Sequence, residues 1–176
     1  YAHSSSGFVK IAAGETISNS EFTGTGGTGD GYGLDVYDFS GNITIGNILH
    51  SKFTGTSISN NGYGLYAKSL TGDITIGDIV GDGSGSTVFT GIGSNAASDV
   101  GYGLYADAVG NVDIGDVSAD IQGADFYGDG YQGYGFYAKT TTGTIDIGAI
   151  SGSDFAGLSS GTANSAGLDA ETTSGD

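Results

Sequence analysis

A three-block unit returns along this chain. The string Gly-Tyr-Gly followed by Leu or Phe begins at Gly31, Gly62, Gly101 and Gly133, at spacings of 31, 39 and 32 residues, and a diverged copy lies at Ala166-Gly167-Leu168. A second block follows each clear copy: Ile43-Thr44-Ile45-Gly46, Ile74-Thr75-Ile76-Gly77, Val112-Asp113-Ile114-Gly115 and Ile145-Asp146-Ile147-Gly148. The third block is Phe-x-Gly, opening at Phe22, Phe53, Phe89, Phe126 and Phe155. Length varies mainly in the Ser, Thr, Asn and Gly-rich segments around the third block, as loops vary while strands keep their length.

Every block has the period of two that belongs to strands. In the first block, Tyr63, Leu65 and Ala67 are expected on one side, with Tyr66 and Lys68 on the other. The same reading groups Tyr32, Leu34 and Val36; Tyr102, Leu104 and Ala106; and Tyr134, Phe136 and Ala138. It leaves Tyr105, Asp107, Tyr137 and Lys139 outside. In the second block the Ile or Val pair points inward, Thr44, Thr75, Asp113 and Asp146 point outward, and the following Gly permits a bend. Ile48, Ile79, Val117 and Ile150 are expected to return inward after that bend. Asn42, Asp73 and Asn111, just before the Ile-x-Ile strand, are the type of turn residue that bonds neighbouring backbone.

No block is long enough to bury a face alone, so the repeats are expected to stack. Parallel pairing of equivalent strands at about 4.7 to 4.9 Å per layer places identical side chains above one another. The predicted fold is all-β: a parallel β-solenoid, or β-helix, of about five coils with three short strands each, roughly 24 Å tall and without caps. The core ladders are Phe22, Phe53, Phe89, Phe126 and Phe155; Ile45, Ile76, Ile114 and Ile147; and Leu34, Leu65, Leu104 and Phe136. A single domain spans 1–176, with units at 1–30, 31–61, 62–100, 101–132 and 133–165 and a partial unit at 166–176. Tyr1 to Ile11 falls onto Tyr66 to Ile76, and Asp169 to Asp176 onto Tyr66 to Asp73, so both ends hold one phase of the repeat. Uncapped layers present unpaired N–H and C=O rows that template further pairing, which makes head-to-tail growth the expectation. Neighbouring coils of a longer chain would cover the same rows equally well.

Composition narrows the partners. Thirty-six of 176 residues are Gly, there is no Pro, Cys, Met or Trp, and four Lys face twenty acidic residues for a net charge of −16. Such charge repels nucleic acid and anionic headgroups. No apolar run approaches a membrane span and the polar N-terminus has no signal-peptide pattern, so direct membrane insertion is not expected. Without Met the chain reads as a processed product or an internal piece, and targeting signals of a precursor are not legible in it. Zero Cys removes disulfides and thiolate chemistry and fits an exported bacterial protein.

Gly-Tyr-Gly-Leu-Tyr-Ala followed by Gly-Asp-Ile-Thr-Ile-Gly-Asp-Ile, from Gly62 to Ile79, resembles the repeats of bacterial surface and secreted β-solenoids, including autotransporter passengers and filamentous-haemagglutinin-like adhesins. The resemblance covers most of the chain. Those relatives have right-handed cores; the resemblance implies for this chain an extracellular or cell-surface location and a role as stalk, adhesin or filament, with no catalytic residue to transfer. No translocator barrel or secretion domain is legible within these 176 residues, which leaves an autotransporter assignment open.

Candidate sites compete with plainer readings. The pectin lyase-like β-helix hosts carbohydrate cleavage with basic side chains and clustered carboxylates, but this chain has no Arg, and Lys10, Lys52, Lys68 and Lys139 are scattered. Asp113 and Asp146 are expected one layer apart, where aligned acids usually reflect the repeat itself. His3 and His50 are far apart in the pattern. Asp30, Asp82 and Asp129 sit in Gly-rich loops that suit calcium, although their spacing departs from the nonapeptide calcium repeat. Tyr66, Tyr105 and Tyr137, with Tyr1 in register, form an outward stripe for sugar or partner contact, or a plain stabilising ladder. Asn42-Ile43-Thr44 meets the N-glycosylation pattern, and loop Ser and Thr suit O-linked sugar. A flat Thr rank would suit ice, but the outward rank Lys10, Thr44, Thr75, Asp113, Asp146 is interrupted by charge. The leading expectation is a non-enzymatic filament or stalk protein. An adhesive or carbohydrate-binding module is the alternative, and a polysaccharide-degrading β-helix the third.

Overall fold

Like blocks do lie over like blocks. The computed structural model describes residues 1–82, 87–115 and 120–175, contains no helix among them, and places 64% of the chain in strands that pair only in parallel. The chain winds through five turns of a β-solenoid. The first coil holds β1 (Ala2–Ser4), β2 (Val9–Ser18) and β3 (Glu21–Gly26), and the second β4 (Gly31–Asp38), β5 (Ile43–Leu49) and β6 (Lys52–Ser57). The third has β7 (Gly62–Ser69), β8 (Ile74–Ile76), β9 (Ile79–Val80) and β10 (Thr87–Ile92). In the fourth are β11 (Val100–Ala108), β12 (Val112–Ile114), β13 (Ile121–Gln122) and β14 (Ala124–Gly130). The fifth has β15 (Gln132–Thr140), β16 (Ile145–Ile147), β17 (Ile150–Ser151) and β18 (Asp154–Ser159), and β19 (Ala166–Thr172) begins one more turn.

Three sheets run along the axis. The first is β1-β4-β7-β11-β15-β19 and the third is β3-β6-β10-β14-β18. The second sheet is one strand per coil in β2 and β5 but splits at its Gly bend in the last three coils, so those coils have four strands where three were expected. Val117 lies outside the described residues. Its expected place in the column below Ile48 and Ile79 is taken by Ile121, which pairs with Ile79 on one side and Ile150 on the other.

Side-chain columns fill the interior. Phe22, Phe53, Phe89, Phe126 and Phe155 pair in unbroken register, with successive centroids 4.8 to 4.9 Å apart and planes 2° to 6° from parallel. Ile45, Ile76, Ile114 and Ile147 form a second column, and Leu34, Leu65, Leu104 and Phe136 a third. The middle coils bury these side chains almost completely, whereas Phe22, Ile147 and Phe155 in the outer coils are only half-buried.

Opposite the Phe column the coil is thin. Gly24, Gly55, Gly91, Gly128 and Gly157 of the third sheet lie directly against the backbone of Tyr32, Tyr63, Tyr102, Tyr134 and Ala166, and a Cβ at any of them would run into a main-chain oxygen. Phe-x-Gly is therefore one device: the Phe fills the wide part of the coil and the Gly closes the narrow part. At the corner between the second and third sheets Asn19, His50, Gly123 and Gly152 share a left-handed φ of 46° to 60°, which explains His50 as a corner residue.

Candidate functional site

The tyrosines form a double column. Tyr32, Tyr63, Tyr102 and Tyr134 stack at 5.1 to 5.4 Å, and Tyr66, Tyr105 and Tyr137 stack at 5.1 and 5.3 Å. The two columns interlock edge to face, as in Tyr63 with Tyr66 at 4.9 Å and 73°. This corrects the expectation that Tyr63 shares a side with Leu65 and Ala67. Gly62 and Gly64 both face the backbone of β10, so Tyr63 between them points outward. Gly64 and Leu65 are then two successive inward positions. Gly64 lacks the Cβ that would otherwise meet Thr90 N and Phe53 O, and this permits the break in alternation.

Mutual packing covers the ring faces that a sugar would use. Tyr137 is buried and Tyr66 and Tyr105 are half-buried, with their rings stacked on one another along the axis. Tyr1 does hold the same register, but Asp35 separates it from Tyr66, and its exposed ring stacks instead on His3 at 4.0 Å. The hydroxyls donate to carboxylates: Tyr32 to Asp30 at 3.0 Å, Tyr105 to Asp107 at 3.1 Å and Tyr137 to Glu171 at 2.9 Å. Burial, with these neighbouring carboxylates, pushes the phenols of Tyr32, Tyr63, Tyr66, Tyr102, Tyr105 and Tyr137 well above the ordinary tyrosine range.

Beside the tyrosines runs the column His3, Tyr37, Lys68, Asp107, Lys139, Glu171, in which the last four alternate in charge. Lys68 Nζ meets Asp107 at 2.8 Å, and Lys139 approaches Glu171 at 3.7 Å. Two of the four lysines are thus engaged in the stack. His3 Nε2 lies 3.2 Å from Asp35 Oδ2, while burial raises the Asp35 carboxyl above its usual range against the lowering effect of His3.

The structure brings Asp113 and Asp146 together as register partners on the outer face of the second sheet. An open groove of ≈ 370 Å³ passes Thr44, Thr75 and Asp113 on one side and Asn47 and Asp78 on the other. No lysine lines it. Asp30, Asp82 and Asp129 stay on separate loops and strands. Asp30 Oδ1 accepts from Asn61 N at 3.1 Å while its Oδ2 takes the Tyr32 hydroxyl, so this carboxylate ties one coil to the next. Asp129 accepts from Tyr127 at 3.3 Å, and Asp82 borders a cavity of ≈ 280 Å³ with Gln122 and Ser151.

Asn42, Asp73 and Asn111 bond backbone as expected of turn residues, but across coils. Asn42 Oδ1 accepts from Asp73 N, Asp73 Oδ1 from Asn111 N, and Asn111 Oδ1 from Thr144 N, at 2.7 to 3.0 Å. Asn42 itself is exposed at the start of β5.

The two end coils are open. Ile150 is 44% exposed although its column partners Ile79 and Ile121 are fully buried. Leu158 and Leu168 are exposed on the same terminal layer, and Phe8 on the opposite one. Among the described residues no helix is long and apolar enough to cross a membrane. No protein-family model, curated protein or solved structure matches this chain.

Proposed function

We propose that this protein is a non-enzymatic structural component of an extracellular filament or stalk, built by stacking its open end coils on those of another copy. The match between the two end surfaces carries this reading. When β2 and β3 of one copy continue the columns below β16, β17 and β18 of another, Val9 falls on Ile145, Ile11 on Ile147, Ile17 on Ile150 and Phe22 on Phe155. Lys10 falls on Asp146, a pairing of opposite charge. Half-buried apolar side chains at both ends then gain the burial of their counterparts in the middle coils, worth roughly 25 cal/mol per Å². β1 and β19 hold one phase of the first sheet, so one of them leaves the ladder at such a junction. β1, joined through three residue pairs, is the weaker. Adjoining coils of a longer chain would use the same surfaces in the same way.

The extracellular assignment rests on the resemblance of Gly62 to Ile79 to secreted bacterial solenoids. Sugar binding on the tyrosine stripe finds less support, because stacking occupies the ring faces. Electron microscopy and light scattering of the purified chain over a salt series test the proposal. Rods that lengthen with protein concentration and with salt are expected, since salt screens the net charge of −16. Lys10→Glu is expected to shorten them. A monomer that persists at high salt and high concentration overturns the proposal.

A further inference from the structure

Charge interrupts the outer rank of the second sheet, but the third sheet carries another rank. Inward Phe22, Phe53 and Phe89 alternate with outward Thr23, Thr54 and Thr90, and inward Gly24, Gly55 and Gly91 alternate with outward Thr25, Thr56 and Ile92. The repeats Phe-Thr-Gly-Thr, Phe-Thr-Gly-Thr and Phe-Thr-Gly-Ile thus set six β-branched side chains in two straight columns over three coils. All six are exposed or half-exposed, and no other described residue engages the five threonine hydroxyls. The patch contains no charge. Glu21 and Lys52 flank it, and Tyr127 and Asp129 end it in the fourth coil.

The patch is regular: both columns keep unbroken register over the three coils. The Phe rings directly beneath it are 4.9 Å apart with planes 2° to 3° from parallel from Phe22 to Phe126, so the coils beneath the patch are evenly spaced. The threonines therefore repeat at about 4.8 Å across the strands and about 6.6 Å along them. That two-dimensional repeat is close to the spacing of water sites across a face of ice. Threonine supplies both parts needed to hold such a lattice: a methyl that keeps liquid water from disordering the surface, and a hydroxyl that anchors a water within it.

We propose that the threonine face of the third sheet, Thr23, Thr25, Thr54, Thr56, Thr90 and Ile92, binds ice. The ligand is ordered water. A protein partner would have to satisfy five open hydroxyls on a surface without a pocket, and an anionic surface would meet the net charge of −16, whereas ice is neutral and offers a hydrogen-bonding site wherever a hydroxyl stands. The backbone ladder holds the columns in place beforehand, so binding orders little of the protein. A monomer carries the face whether or not copies stack.

The full chain is tested by partition into a slowly growing ice surface and by inhibition of ice recrystallisation, with serum albumin as the non-binding standard. The chain is expected to enter the ice and to slow recrystallisation. T54K and T56K are expected to lose both effects while circular dichroism retains the β-solenoid spectrum. T44K and T75K, on the second sheet, are expected to keep them. T90K carries the same test from the rim of the patch should a central lysine unfold the chain. Exclusion of the wild-type chain from ice at the albumin level overturns the proposal, as does full ice binding by the folded T54K, T56K or T90K variant.

Discussion

Phe53 and Phe89 lie one coil apart with ring centroids 4.9 Å from each other and planes 3° from parallel, both fully buried. Each ring is wall and floor for the next. Replacing Phe89 with Ala removes two stacking partners at once and leaves a void between Phe53 and Phe126, at a cost of about 3–5 kcal/mol. Urea denaturation is expected to show that loss as a lower midpoint. Because neighbouring coils depend on each other, the whole transition should shift and no separate early step should appear.

Gly91 presents the opposite constraint. A Cβ there would meet the carbonyl of Tyr102, whereas a Cβ on Gly27 meets nothing within 4 Å. Gly91→Ala is expected to destabilise the chain by more than about 1–3 kcal/mol, the usual range for overpacking, because backbone and not a movable side chain must give way. Gly27→Ala is the control and should leave the melting temperature within error of the wild type.

Asp38 stands in a column otherwise filled by Ser4, Ser69, Ala108, Thr140 and Thr172. Ser69 accepts from Gly72 N and donates to Gly41 O in the preceding coil, and Thr140 makes the same pair of bonds with Gly143 N and Gly110 O. Asp38 is fully buried, and its Oδ2 has no partner among the described residues. Asp38→Ser restores a hydroxyl of the kind the column uses and removes an unsatisfied buried oxygen. A stability gain of about 1–3 kcal/mol is expected from thermal melts.

The stacked tyrosines set an alkaline limit. Their phenols are raised by burial, so the folded chain keeps protons that the unfolded chain releases near pH 10. The associated stability is intact below that pH and is lost as pH rises beyond it. Absorbance titration is expected to show these tyrosines ionising together with unfolding. Reversible ionisation near pH 10 with unchanged circular dichroism would contradict the buried double column.

At the acidic side the sign is the reverse of the common carboxylate case. Burial raises Asp35, Asp125 and Asp169, with Asp154 adding to the effect at Asp125 and Glu171 at Asp169. The folded chain then binds protons at a higher pH than the unfolded chain, whose aspartates titrate near about 3.9, so these groups add stability as pH falls from neutral toward 4. Melting temperatures are expected to rise over that window. A steady fall would show that other carboxylates dominate.

The stacking of blocks was legible because parallel pairing puts equivalent residues in contact, so a column such as Ile45, Ile76, Ile114 and Ile147 survives only if each unit repeats the same residue type at the same phase. The core ladders follow from that one rule. The side taken by Tyr63 was not legible. Period two holds only within a strand, and Gly64 breaks it by letting two backbones touch, a condition set by the opposite sheet and by nothing near Gly64 in the chain. The place of Ile121 was hidden for a similar reason, since its register with Ile79 and Ile150, held by bonds such as Ile121 N–H to Ala149 O, and not distance along the chain, decides where the strand resumes. Repetition determined the architecture from the residues alone. Only the tertiary structure decided which rings cover one another and which threonines are left open on the surface, because both depend on how the coils pack.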